Sequence, residues 1–160
     1  MKIEQKAYVK VVYFSIFSIL YSFITMKFTD YLGINENDIG GAKFKSPTQE
    51  VVITILIGPL LETFLYQYLV YKIVYFIKSF IQRSILKKEV QYLIFYLVIS
   101  SVLFAISHSY SRYYVFLMLI PGAILAFAFY YFKRKYSYPF FYVLLIHFLH
   151  NLFILIYEKL

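Results

Sequence analysis

Gly58-Pro59-Leu60-Leu61-Glu62-Thr63-Phe64-Leu65-Tyr66-Gln67 places one carboxylate in the middle of an apolar run that extends from Val51 to about Ile77. A membrane helix needs about 20 such residues. The run therefore reads as a span, long enough to tilt or bend, with Gly58-Pro59 as the expected kink. An ionised group at that depth is costly unless it meets a partner or water, so Glu62 is by default a functional residue whose partners lie elsewhere in the chain.

The whole sequence supports a membrane reading. Its 160 residues are 62% hydrophobic, 23% aromatic and only 15% charged, with a mean hydropathy of +0.70, beyond the apolar share of ordinary soluble domains. The absence of cysteine excludes disulfides, a thiolate nucleophile and cysteine-based metal centres. The net charge of +8 does not point to nucleic acid, because the basic residues sit in short clusters between apolar segments.

Working outward from Glu62, the pattern predicts five spans, at about 8–27, 51–77, 90–108, 113–132 and 139–157. Lys2, Lys6 and Lys10 flank the first, and no small-x-small cleavage site follows it, so it reads as a membrane helix rather than a signal peptide. Residues 27–50, with Gly33, Gly40, Gly41 and Pro47, form the one substantial polar loop. The Lys78, Arg83, Lys87, Lys88 cluster and Lys133-Arg134-Lys135 fall on the same side as the N-terminal lysines, ten of the sixteen Lys and Arg. The positive-inside rule then puts the N-terminus in the cytoplasm and the chain in the cell membrane. No internal repeat or linker interrupts the pattern, so the expected fold is an all-α integral membrane protein: one domain over 1–160, a bundle of about five transmembrane helices around a polar intramembrane site. The many Tyr and Phe read as lipid-facing and interfacial aromatics.

The polar residues inside the spans are few: Glu62, His108, His147, His150 and Asn151. Residues four apart on a helix lie about 40° from each other, so His147 and Asn151 share a face, as do Phe104 and His108. Glu62 and Gln67 are about 140° apart by the same arithmetic, which puts Gln67 behind the pocket rather than in it. A carboxylate and two imidazoles from separate helices can deprotonate a water, through Glu62 as general base or through a metal held by the imidazoles. Asn151 has the donor needed to meet a developing oxyanion. His150 reads as a packing residue.

Glu62-x-x-x-x-Gln67, Phe104-Ala105-Ile106-Ser107-His108 and His147-Phe148-Leu149-His150-Asn151, in that order on three spans, resemble the motifs of the CAAX-processing and bacteriocin-processing (CPBP, or Abi) intramembrane proteases. The family's first motif is usually a Glu pair followed by three residues and an Arg. Here Thr63 replaces the second Glu and Gln67 stands at the Arg position. The resemblance implies that Glu62 and His108 activate a water for peptide-bond hydrolysis, while His147 and Asn151 position or stabilise the oxyanion. Thr63, Gln67 and Phe104 would support them, and His150, which matches no motif position, reads as a helix-packing or supporting residue. It implies a peptide substrate, either prenylated or a leader peptide, met in the lipid bilayer. Two versions of the chemistry stay open: zinc held by Glu62, His108 and His147, or water activated by glutamate without metal. A non-catalytic relative acting as a membrane immunity or regulatory protein is the alternative, motivated by Thr63 and Gln67.

One expectation is in tension. Glu62 falls about 16 Å below the far end of its span, whereas His108 falls about 27 Å along its own, near that end. A tilted third span, or a 109–112 segment dipping into a water-filled cavity, would bring them together.

Overall fold

The computed structural model describes residues 2–34, 36–80, 89–157 and 159. The cluster residues Arg83, Lys87 and Lys88 lie outside them. Among the described residues the protein is helical with no strand. Among the described residues five helices are long and apolar enough to cross a membrane: Gln5–Tyr31, Pro47–Lys78, Glu89–Ser107, Arg112–Lys135 and Pro139–Tyr157. It is a multi-pass membrane protein. The expected spans are all present, and the first, second and fourth are longer than expected.

The first span lies in α1 (Lys2–Tyr31), followed by the short α2 (Glu36–Ile39). The second is a composite: α3 (Pro47–Val51), a π-helical turn π1 (Val52–Ile57), α4 (Gly58–Glu62), a second π turn π2 (Thr63–Leu69) and α5 (Val70–Phe80). Ser46 starts it by accepting the Gln49 N–H at 3.2 Å, with Pro47 pre-set in the first turn. Then come α6 (Glu89–Ser107), α7 (Arg112–Lys135) and α8 (Pro139–Tyr157). The Ser111 hydroxyl caps α7 through the Tyr114 N–H at 3.1 Å, and Lys133, Arg134 and Lys135 sit in its last turn, where cations suit the helix dipole.

Two helix interiors contain proline, and each leaves a carbonyl without its N–H. In π1 the Gly58 N–H reaches back five residues to the Ile53 carbonyl. The next bond in that register would join residue 59 to Thr54, and Pro59 has no N–H to give. Asn151 on α8 fills the place, its Nδ2 donating to the Thr54 carbonyl at 2.8 Å. In α7, Pro121 leaves the Leu117 carbonyl open, and the Tyr21 hydroxyl of α1 donates to it at 2.9 Å. Along π2 the Tyr66 carbonyl accepts from Ser100 at 2.7 Å and the Gln67 carbonyl, which also takes the Val70 N–H, from Tyr96 at 3.0 Å, both donors on α6. Lipid offers no donor to a freed carbonyl. These side chains therefore join helices where the backbone departs from α.

Among the described residues more Tyr and Phe are exposed than buried, as expected, but a smaller set builds the core. Tyr92, Tyr96, Phe104, Phe129, Phe132 and Tyr142 are buried together, and Tyr71 meets Tyr96 edge-on with ring centroids 5.3 Å apart. Such pairs add specific geometry to the contact area of the rings. Others, such as Tyr13, Phe17, Phe76 and Phe116, are exposed as expected. α6 and α7 approach so closely that a Cβ on Gly122 would stand 3.0 Å from Ser101 Cα and 3.1 Å from Phe104.

Glu89 gathers Lys78 at 3.5 Å, the Tyr130 hydroxyl at 2.6 Å and Arg134 at one end of the bundle. Lys159 pairs with Glu50 at the other, at 2.8 Å.

Candidate active site

Glu62 is the last residue of α4, between the two π turns. Its Oε1 turns back over Gly58, 3.4 Å from where a Cβ would stand, and the same Cβ would lie only 2.9 Å from the Ile53 carbonyl oxygen. Glycine at 58 thus admits both the π turn and this carboxylate rotamer.

The other oxygen, Oε2, is addressed by two imidazoles: His147 Nε2 at 3.5 Å and His108 Nε2 at 3.6 Å. Both separations exceed a direct N–H···O bond and suit a bridging water. Three spans meet here, those carrying Glu62, His108 and His147. The depth tension disappears once both helices are measured from the Lys78–Glu89 pair that ties their other ends. Glu62 is 16 residues from Lys78 and His108 is 19 from Glu89, about 24 and 28 Å along the helices. The second span is longer than 51–77, so its far end was the wrong reference.

Each imidazole is oriented from behind. His108 follows the last residue of α6, and its Nδ1 lies 2.8 Å from the Phe104 carbonyl, one of the carbonyls a helix end leaves unbonded. A carbonyl only accepts, so Nδ1 carries the hydrogen, and in the neutral ring Nε2 faces Glu62 with a lone pair. The ring also stacks on Tyr114 at 6.0 Å between centroids. His147, nearly fully buried, has its Nδ1 3.4 Å from the hydroxyl of Thr63. Thr63 therefore touches the site directly, although its position next to Glu62 suggested only support.

The remaining expected residues are distributed differently. Asn151 is one turn from His147, but its Nδ2 is engaged with the Thr54 carbonyl. The expected oxyanion donor thus holds α8 against π1. His150 turns to α1, with Nδ1 2.9 Å from Ser18 Oγ and Nε2 3.4 Å from Ser22 Oγ, a packing contact. Phe104 contributes its carbonyl to His108 and its ring to His147, 5.9 Å between centroids. Gln67 is fully buried. The α-helical angle of 140° does not apply to it, because the intervening turn is π, in which residues five apart lie over one another.

Zinc held by Glu62, His108 and His147 would need each donor about 2.0–2.2 Å from one point. The donor types suit zinc. Among the described residues, however, no three His, Cys, Asp or Glu side chains form a group arranged to hold a metal ion.

Sequence reasoning did not find Thr54 and Leu117, whose contributions are main-chain carbonyls, nor Tyr21, Ser18 and Ser22 on α1. A signal for the carbonyls existed: every proline inside a helix announces an acceptor four residues back, or five in a π turn.

No curated protein and no solved structure matches the chain. The family model described as type II CAAX prenyl endopeptidase Rce1-like matches residues 45–153. That stretch holds the whole Glu62, His108, His147 constellation and leaves α1 outside. It covers more than half of the chain, which accordingly belongs to the Rce1-like family of type II CAAX prenyl endopeptidases.

Proposed function

We propose that this protein is an intramembrane endopeptidase in which Glu62 and His108 activate a water. The observation that carries the reading is the placement of Glu62 Oε2 between two imidazole nitrogens at 3.5 and 3.6 Å. A water beside Oε2 can donate one hydrogen to the carboxylate and the other to the His108 Nε2 lone pair, leaving its own lone pair for the scissile carbonyl. As the O–C bond forms, the proton passes to Glu62, and collapse of the tetrahedral intermediate returns it to the leaving amine.

His147 is the proposed oxyanion donor. If Thr63 gives its hydroxyl hydrogen to His147 Nδ1, the ring hydrogen resides on Nε2, the atom facing the reaction. The two histidines then take opposite tautomers, one accepting and one donating. A glutamate at position 63 would accept from Nδ1 and reverse that assignment. Asn151 acts as a positioning residue, fixing α8 to π1. No step is routed through a metal.

A groove of about 390 Å³ lined by Ile55, Leu56, Leu60, Leu144, Leu145 and Phe148 runs between the Glu62 and His147 helices. It is apolar and suits the lipidated or hydrophobic part of a prenylated or leader peptide. The concentration of Lys and Arg at the other end of the bundle supports a cytoplasmic N-terminus in the cell membrane.

The second reading, a non-catalytic relative that binds a membrane partner, is favoured by Thr63 and Gln67 standing where the family usually has Glu and Arg. Incubation of the protein in liposomes with prenylated and leader peptides tests the choice. Cleavage that disappears in Glu62→Gln supports the protease, and no cleavage by the wild-type protein supports the relative.

A further inference from the structure

Gln67 sits in π2, four residues beyond Thr63, and is fully buried. Its main-chain carbonyl accepts the Tyr96 hydroxyl at 3.0 Å. Its side-chain Oε1 and Nε2 have no partner among the described residues. A primary amide brings two donors and two acceptor lone pairs, and leaving all of them unmet in a membrane interior is costly where a leucine or methionine would fill the same space.

The surroundings of π2 are also unusually polar. Tyr96 and Ser100 are both fully buried, and each gives its hydroxyl hydrogen to a π2 carbonyl. Each hydroxyl oxygen keeps lone pairs to accept with, whereas the Gln67 carbonyl, which also takes the Val70 N–H, is filled. A buried water needs two to four polar partners, and π2 with the facing side of α6 supplies them.

We propose that Gln67, with Tyr96, Ser100 and the Tyr66 carbonyl, forms an internal site that holds resident water between the second and third spans. The ligand is water itself. Resting on the hydrolytic reading above, the site is a store beside Thr63 from which the water consumed at Glu62 is replaced without crossing lipid.

The test is X-ray radiolytic labelling of the intact protein in micelles, in which bound water yields hydroxyl radicals in place. Tyr96 and Phe132 are equally buried, so Phe132 serves as the dry reference. Wild-type Tyr96 should be oxidised several times faster than Phe132, and Gln67→Met should bring Tyr96 down to the reference and lower the unfolding temperature. Background labelling of wild-type Tyr96, unchanged labelling in Gln67→Met, or a higher unfolding temperature for that variant would each overturn the proposal. The wild-type comparison needs no variant to fold. A peptidase-inactive protein that still labels Tyr96 keeps the water site while removing the hydrolytic reading.

Discussion

Asn151 Nδ2 donates to the Thr54 carbonyl at 2.8 Å, and this is the carbonyl that Pro59 leaves without a main-chain donor in the π register of residues 52–57. The proline and the asparagine, on different spans, are two halves of one connection. Removing a partner from a buried acceptor costs about 1–3 kcal/mol. Asn151→Ala should destabilise the protein by about that much, and by clearly less in a Pro59→Ala background, where residue 59 recovers its N–H. Equilibrium unfolding in mixed micelles over the double-mutant cycle measures the coupling, and equal costs in both backgrounds would show the two residues to be independent.

Tyr21 and Pro121 form the same kind of connection through the Leu117 carbonyl. Tyr21→Phe should cost on the order of 1 kcal/mol, an effect that Pro121→Ala removes by returning an N–H to α7. Because α1 lies outside the family match, this pair also measures how firmly the additional helix is held. Unfolding midpoints of the four variants decide it.

Gly58→Ala brings a methyl group to 2.9 Å from the Ile53 carbonyl and 3.4 Å from Glu62 Oε1. Something must move, and both obstacles belong to the site's own frame. Turnover should fall on the order of tenfold to a hundredfold, the effect of misplacing a catalytic group by about 1 Å. Titrating substrate will show the loss in kcat rather than KM; wild-type kinetics in this variant would mean that Glu62 is not held by the π turn.

Thr63 is proposed to set the tautomer of His147 across 3.4 Å. Nitrogen NMR of labelled histidine should find the His147 hydrogen on Nε2 in the wild type and in Thr63→Ser. In Thr63→Val, which keeps the shape and removes the hydroxyl, that preference should be lost together with peptidase activity. A hydrogen on Nδ1 in the wild-type protein would reverse the donor assignment.

Much of this site was legible in the sequence, because lipid makes polar residues conspicuous. Glu62, His108 and His147 stand out from apolar runs, and their order on three spans marks them as candidates for one site, although their depths counted from the expected span ends disagree. What remained hidden depends on helix register. Gly58-Pro59 signals a bend, but nothing in residues 52–57 distinguishes a kinked α-helix from a π turn, and the choice decides which carbonyl is freed. With the register unknown, the bond from Asn151 to the Thr54 carbonyl is not foreseeable, and Gln67 is placed by an α-helical angle that its own turn does not obey. Aromatic residues were hard for another reason. Tyr13 and Tyr96 have the same composition signal, and only the packing of α6 against its neighbours decides that one meets lipid and the other the core.

The proposed mechanism routes no step through a metal, so a strong zinc chelator should leave peptide cleavage unchanged. Loss of activity on chelation with recovery on adding zinc would favour the alternative in which Glu62, His108 and His147 hold zinc.

The central claim is that Glu62 and His108 activate the attacking water, and cleavage of a prenylated or leader peptide in liposomes by the wild type, Glu62→Ala and His108→Ala tests it most directly. With all three shown to be folded, product should form with the wild type and fall by a factor on the order of a hundred or more in each variant. Equal product from all three would contradict the assigned chemistry.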